Sequence, residues 1–107
     1  MKITFYIGNT KVIQFLLQRD GEEVDLTGLT PKFSCKAAIA DEAYIFSKDG
    51  TIVGLATAGL SSFTMLPADL ATVVEYGIGE IGLENAQGGY ESLGDVYVHI
   101  KTGVPPE

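Results

Sequence analysis

Three glycines, Gly77, Gly79 and Gly82, stand within EYGIGEIGLEN, Glu75 to Asn85. Glycines at such spacings can cradle a phosphate when they follow a strand and open a helix, whose N-terminus receives the anion. Here they interleave with Tyr76, Ile78, Ile81 and Leu83, Gly88-Gly89 follows in place of a helix, and no P-loop lysine is present. The stretch reads instead as a strongly twisted strand that a neighbouring backbone or side chain crosses closely. A bulge near Gly79 and Glu80 is expected, leaving Tyr76, Ile78, Ile81 and Leu83 on one face.

The remaining reactive residue types are sparse. His99 is the sole histidine and Cys35 the sole cysteine. A catalytic histidine needs a nucleophile and an orienting partner, and nothing in the spacing ties His99 to Ser61, Ser62 or Cys35. One histidine and one cysteine supply too few ligands for a typical zinc site. His99 reads as a surface or interface residue. Cys35 alternates inward with Phe33 and reads as a small buried hydrophobe. A reactive thiolate would need a helix start or a positive cluster, and only Lys32 and Lys36 are close in sequence. Asp20, Glu22, Glu23 and Asp25 form the densest acidic cluster but lack the spacing, central glycine and final glutamate of a calcium loop. They read as solvated turn charges. A pair of catalytic carboxylates would need a cleft that raises one acidity, and the sequence signals none.

The elements that must position these residues are short strands. Residues 2–7 form the first, and Gly8-Asn9 a turn. Residues 10–18 form the second, with Ile13, Phe15 and Leu17 on one face, Val12 and Leu16 on the other, and both faces partly covered. After a turn at Asp20-Gly21-Glu22-Glu23, Leu29, Pro31, Phe33 and Cys35 alternate with polar residues, the cleanest period-two signal in the chain. Pro31 cannot donate to a ladder, so the start of this strand is expected at an edge or a bulge. Ala38 to Ala43 reads as a linker turn. Residues 43–48 form a strand whose return partner, 51–55, follows the hairpin dipeptide Asp49-Gly50. Residues 61–66 form a strand, Pro67 to Ala71 one or two helical turns, and Val74 to Glu84 the glycine strand. Gly88-Gly89 turns into the last strand, 94–101, where Val96, Val98 and Ile100 alternate with Asp95, Tyr97 and His99.

Seven or eight short strands at intervals near ten residues, with one short helical turn, indicate an all-β sandwich or barrel. A length of 107 residues suits one domain, here 1–102, with 103–107 as a loose tail or linker remnant. Such a domain buries roughly two-thirds of its unfolded surface, enough for one core without staples. Fourteen acidic against seven basic residues, a formal charge of −7, argue against a nucleic-acid backbone or an anionic membrane as partner. MKITFYIGNTK lacks the apolar run of a signal peptide, and no stretch approaches the ~18 apolar residues of a membrane span. The five tyrosines suit either strand faces or interfaces.

TKVIQFLLQRDGEEVDLTGLTPKFSCK, Thr10 to Lys36, resembles the opening of the N-terminal domain of phage baseplate upper proteins. The short motif is Asp25-Leu26-Thr27-Gly28, followed by the alternating strand Leu29 to Lys36. Asp49-Gly50 resembles the family's hairpin, Ser62 to Asn85 its strand, short helical turn and tyrosine-bearing strand, and Asp95 to Lys101 its closing strand. Pro31 departs from the pattern, which begins a regular strand with a β-branched residue. Larger members continue into further structural or receptor-binding regions, so the chain reads as a small tail protein or as a fragment of one.

The resemblance implies an immunoglobulin-like antiparallel β-sandwich that attaches a tail or baseplate component to the virion, after synthesis in the bacterial host cytoplasm. It implies no catalytic residue, cofactor or metal, and no nucleic-acid or membrane partner. The partners would be other tail or baseplate proteins or further copies of the chain. Candidate contacts are Tyr6, Tyr97 and His99 on outward strand faces, with Asp49 and Gly50 at the turn. Two other readings compete. A carbohydrate or cell-surface binding module expects a concave aromatic-lined patch, against which the lack of tryptophan counts. A small enzyme expects His99 in a cleft beside a serine and a carboxylate.

Overall fold

The computed structural model describes residues 2–37 and 43–102. The linker expected at 38–42 and the tail at 103–107 lie outside the described residues. Ten strands are present: β1 (Lys2–Tyr6), β2 (Lys11–Leu16), β3 (Gln18–Arg19), β4 (Glu22–Glu23), β5 (Thr30–Lys36), β6 (Phe46–Asp49), β7 (Thr51–Ile52), β8 (Leu60–Met65), β9 (Val74–Glu84) and β10 (Tyr90–Lys101). One sheet runs β1-β10-β9-β5-β6, a second runs β2-β8-β7, and β3-β4 is a two-residue hairpin. All pairs are antiparallel except β1 with β10, which is parallel and so departs from the all-antiparallel expectation.

The two larger sheets face each other across a core built on phenylalanine. Phe5, Phe33 and Phe46 project from the five-stranded sheet and Phe15 and Phe63 from the three-stranded one; none is more than 8% exposed. Phe33 sits at the centre, edge-on to Phe15, Phe46 and Phe63 at 5.5, 5.0 and 5.8 Å between ring centroids. Each buried ring contributes roughly 1.5–3 kcal/mol by leaving water, and the edge-to-face contacts add about 0.5–1.5 kcal/mol per pair. The expected alternation in β5 and β10 is present: Pro31, Phe33 and Cys35, and Val96, Val98 and Ile100, are all buried.

β9 lies in the middle of its sheet and alternates without interruption across Gly79 and Glu80. Gly77, Gly79, Ile81 and Leu83 are buried on the core face, whereas Ile78 and Glu80 face outward. The expected bulge is therefore misplaced, and Tyr76 and Ile78 lie on the opposite face from Ile81 and Leu83. The irregularities fall where the β9–β10 register shifts, between Ser92 and Gly94 and between Val98 and Ile100. The glycines answer to crowding. A Cβ at Gly77 would stand 2.8 Å from the Cys35 sulfur, and one at Gly79 would stand 2.8 Å from the Val96 carbonyl oxygen.

The two Asp-Gly dipeptides behave differently. Asp20 and Gly21 take φ of 55° and 81°, the double left-handed conformation of a type I′ hairpin, and join β3 to β4. Asp49-Gly50 makes no hairpin. β6 pairs with β5 in one sheet, β7 pairs with β8 in the other, and Gly50 marks the crossing between them. A Cβ there would lie 2.7 Å from the Phe63 ring, so Gly50 admits the core aromatic where the chain changes sheets.

Other expectations shift as well. The second strand breaks at Leu17, whose amide donates to the Gly59 carbonyl at 2.7 Å. Its outer face is not covered: Val12 and Leu16 are more than half exposed. Pro67–Leu70 forms turns, not a helix. The amides of Asp69 and Leu70 donate to the carbonyls of Leu66 and Pro67, and Leu66 N–H donates to Asp69 Oδ2 at 2.8 Å. The one helical turn among the described residues is a 3-10 turn at Ala56–Ala58. Pro31 lies inside β5, paired with Leu83 of β9, one residue before the β5–β6 ladder begins. On that side its carbonyl accepts from Gly50 N–H at 2.8 Å. In Asp25-Leu26-Thr27-Gly28, Asp25 Oδ1 accepts from the Thr27 amide and hydroxyl at 3.0 and 2.7 Å, Leu26 is buried, and Gly28 takes φ 74°. These two hydrogen bonds hold the Asp25 carboxyl below the usual carboxylate range.

Candidate interaction face

The outward face of the five-stranded sheet collects residues that the sequence scatters. On β1 and β10 the register sets Lys2 beside Tyr97, Thr4 beside His99 and Tyr6 beside Lys101. Across β10, β9 and β5, Tyr97, Ile78 and Lys36 continue the row that starts at Lys2, and Asp95, Glu80 and Ser34 form the next, which Ser47 of β6 extends. Lys36 Nζ lies 4.7 Å from the centre of the Tyr44 ring, and Lys101 Nζ lies 5.2 Å from that of Tyr6. The Tyr90 ring covers Gly82, where a Cβ would collide with it, and its hydroxyl donates to Glu80 Oε1 at 2.7 Å. Partial burial of the phenol, helped by the Glu80 carboxylate, pushes its pKa well up. Lys32 Nζ pairs with Asp49 Oδ1 at 2.7 Å, which raises its ammonium pKa, and lies 3.7 Å from Glu84.

A division of aromatic types follows from this arrangement. All five phenylalanines are in the core, and all five tyrosines stand on or beside this outer face, 41–67% exposed. The face also carries both signs of charge. Lys2, Lys32, Lys36 and Lys101 stand among Asp49, Glu80, Glu84 and Asp95, four of each sign in these paired rows on a chain of net −7. Ser34, Lys36, Tyr44, Ile78 and Glu80 line a depression of about 180 Å³ at its centre.

Tyr6, Tyr97 and His99 therefore share this face, and Asp49 joins it at the far edge through Lys32. Gly50 does not: it packs on Phe63. Tyr44, Tyr76, Tyr90, Lys36, Ile78 and Glu80 stand on or beside the same face, and none of these is among the contacts expected from the sequence.

The residues considered for catalysis do not converge. His99 faces outward, whereas Cys35 faces the core on the opposite side of the same sheet. Burial pushes the Cys35 thiol up to about 11. Ser61 is fully buried in the other sheet and donates to the Phe15 carbonyl at 3.2 Å. Among the described residues, no three His, Cys, Asp or Glu side chains form a metal-binding group. Asp20, Glu22 and Glu23 are exposed around the β3–β4 hairpin, and neighbouring Arg19 donates from Nε to Glu91 of β10 at 2.8 Å. No helix among the described residues is long and apolar enough to cross a membrane.

No curated protein matches the chain. Residues 1–88 match the family model of the BppU N-terminal domain, BppU being the baseplate upper protein.

Proposed function

The chain belongs to the BppU N-terminal domain family, and from that premise we propose that it is a non-enzymatic adaptor docking through its tyrosine-bearing sheet face. The family is one of phage baseplate structural domains, which makes the chain a component of the virion tail that assembles with other tail or baseplate proteins.

The observation that carries the adaptor reading is the placement of all five tyrosines on or beside one sheet face where lysines and carboxylates alternate. Tyrosine supplies rigid apolar area with a polar tip, and protein interfaces are enriched in it. A face of mixed charge on an acidic chain can approach a partner without long-range repulsion. The same mixture leaves no basic stripe for a nucleic-acid backbone. A saccharide module would set several rings around one concave site; the central depression is lined by one, Tyr44.

Incorporation into particles tests the reading. Tyr44→Ser with Tyr97→Ser removes two rings that are each more than half exposed, so folding stability stays within about 0.5 kcal/mol per site. Incorporation into purified tails is expected to fall at least about tenfold, as for loss of central interface anchors. Val12→Ser with Leu55→Ser, on other exposed surface, is the control. Equal incorporation of both variants overturns the assignment.

A further inference from the structure

We propose that Asp20 is a site of spontaneous backbone modification, where the side chain condenses with the Gly21 amide to a cyclic imide that reopens as isoaspartate. The chain holds two Asp-Gly dipeptides, each preceded by a basic residue: Arg19-Asp20-Gly21 and Lys48-Asp49-Gly50. Glycine has no side chain to shield its amide nitrogen, so both sequences suit the reaction. The fold separates them.

At Asp20-Gly21 both reacting groups are free. The dipeptide is exposed at the tip of the β3–β4 hairpin, and a Cβ at Gly21 would meet nothing within 4 Å. Among the described residues, neither the Asp20 carboxyl nor the Gly21 N–H has a hydrogen-bond or ion-pair partner. At Asp49-Gly50 both groups are held. The Asp49 carboxylate pairs with Lys32 Nζ at 2.7 Å, and Gly50 N–H donates to the Pro31 carbonyl at 2.8 Å. The Phe63 ring packed on Gly50 also fills the space in which an imide would form.

The step needs nothing but solvent. The Gly21 nitrogen bonds to Asp20 Cγ, and its proton leaves with the carboxyl hydroxyl as water. Water then adds to one of the two imide carbonyls. Addition at Cγ breaks the new bond and restores aspartate. Addition at the main-chain carbonyl breaks the original peptide bond, so that the chain runs through Cβ and Cγ and the α-carboxylate becomes the side group. The main chain gains a methylene. A two-residue type I′ loop fixes the register of its strands, so the longer loop disrupts the Arg19–Glu22 pairing. Arg19, which donates to Glu91 of β10, then loses its fixed place.

Peptide mapping of the intact chain, aged in mildly acidic buffer, tests this, with electron-transfer fragmentation to tell the isomers apart. Conversion at Asp20 is expected to be at least about tenfold faster than at Asp49, the ratio expected where a hydrogen bond and an ion pair must first break. In urea, where the fold protects neither site, the two are expected to convert at similar rates. Equal rates in the folded chain, or faster conversion at Asp49, overturn the proposal. An advantage of Asp20 that persists in urea also overturns it, because the fold would not be its source. The urea midpoint is expected to fall as Asp20 converts, and a midpoint unchanged at full conversion overturns the loosening of Arg19.

Discussion

At the scale of single residues, crowding governs the glycines and burial governs the cysteine. A Cβ added at Gly79 would stand against the Val96 carbonyl oxygen and, at 3.0 and 3.3 Å, the Val98 and Phe33 side chains. Gly79→Ala overpacks this site and is expected to cost about 1–3 kcal/mol, read as a lowered urea midpoint. Gly82→Ala meets chiefly the Tyr90 side chain, which can swing away, although the Glu91 carbonyl oxygen also lies 2.6 Å from the new Cβ. A Gly79→Ala variant as stable as the parent would refute the close approach. Cys35, fully buried with its thiol pushed up to about 11, is expected to resist iodoacetamide at pH 8 in the folded chain and to react once urea unfolds it. Rapid labelling without unfolding would contradict its placement.

At the scale of elements, the family match ends at residue 88, before β10 begins, yet β10 lies between β9 and β1 in the five-stranded sheet. It buries Val96, Val98 and Ile100. We therefore propose 1–102 as the folding unit. A chain cut after residue 88 is expected to show no cooperative thermal transition by circular dichroism, and one cut after 102 to melt as the parent does. A cooperative transition in the shorter chain would remove β10 from the fold's requirements. Strands buried on one face were legible in the sequence. Pro31, Phe33 and Cys35 on β5 and Val96, Val98 and Ile100 on β10 show it, because local alternation carries the whole signal. Sheet membership was not legible. Asp49-Gly50 looks locally like Asp20-Gly21, and only the Phe63 ring packed on Gly50 distinguishes a crossing from a hairpin. The candidate face was half legible. Tyr97 and His99 alternate visibly with buried valines, but Tyr44, Ile78 and Glu80 join them only once β10, β9 and β5 are placed side by side.

At the scale of the whole molecule, titration sets the window of stability. The Arg19 guanidinium holds the Glu91 carboxyl below its ordinary range, and Thr27 does the same for Asp25. Both folded values are depressed. The stability they contribute is present above the unfolded carboxylate values near ~4 and is lost as pH falls through the lower folded values. On the alkaline side Cys35 and Tyr90 keep their protons longer when folded. The unfolded thiol ionises from about pH 8.5, so stability also falls as pH rises beyond that. The urea midpoint is expected to peak between about pH 5 and 8, and Glu91→Gln to flatten its acid side. An acid side unchanged by that substitution would remove the Arg19–Glu91 pair from the account.

The central claim concerns the tyrosine face. Hydroxyl-radical footprinting, read by mass spectrometry, compares the free chain with the chain in assembled tails. The account predicts strong protection of Tyr44, Tyr76, Tyr90 and Tyr97 on assembly, with Val12 and Leu16 on the outer side of the other sheet unchanged. Tyrosines as reactive in the tail as in the free chain, with protection at Val12 and Leu16 instead, would contradict it.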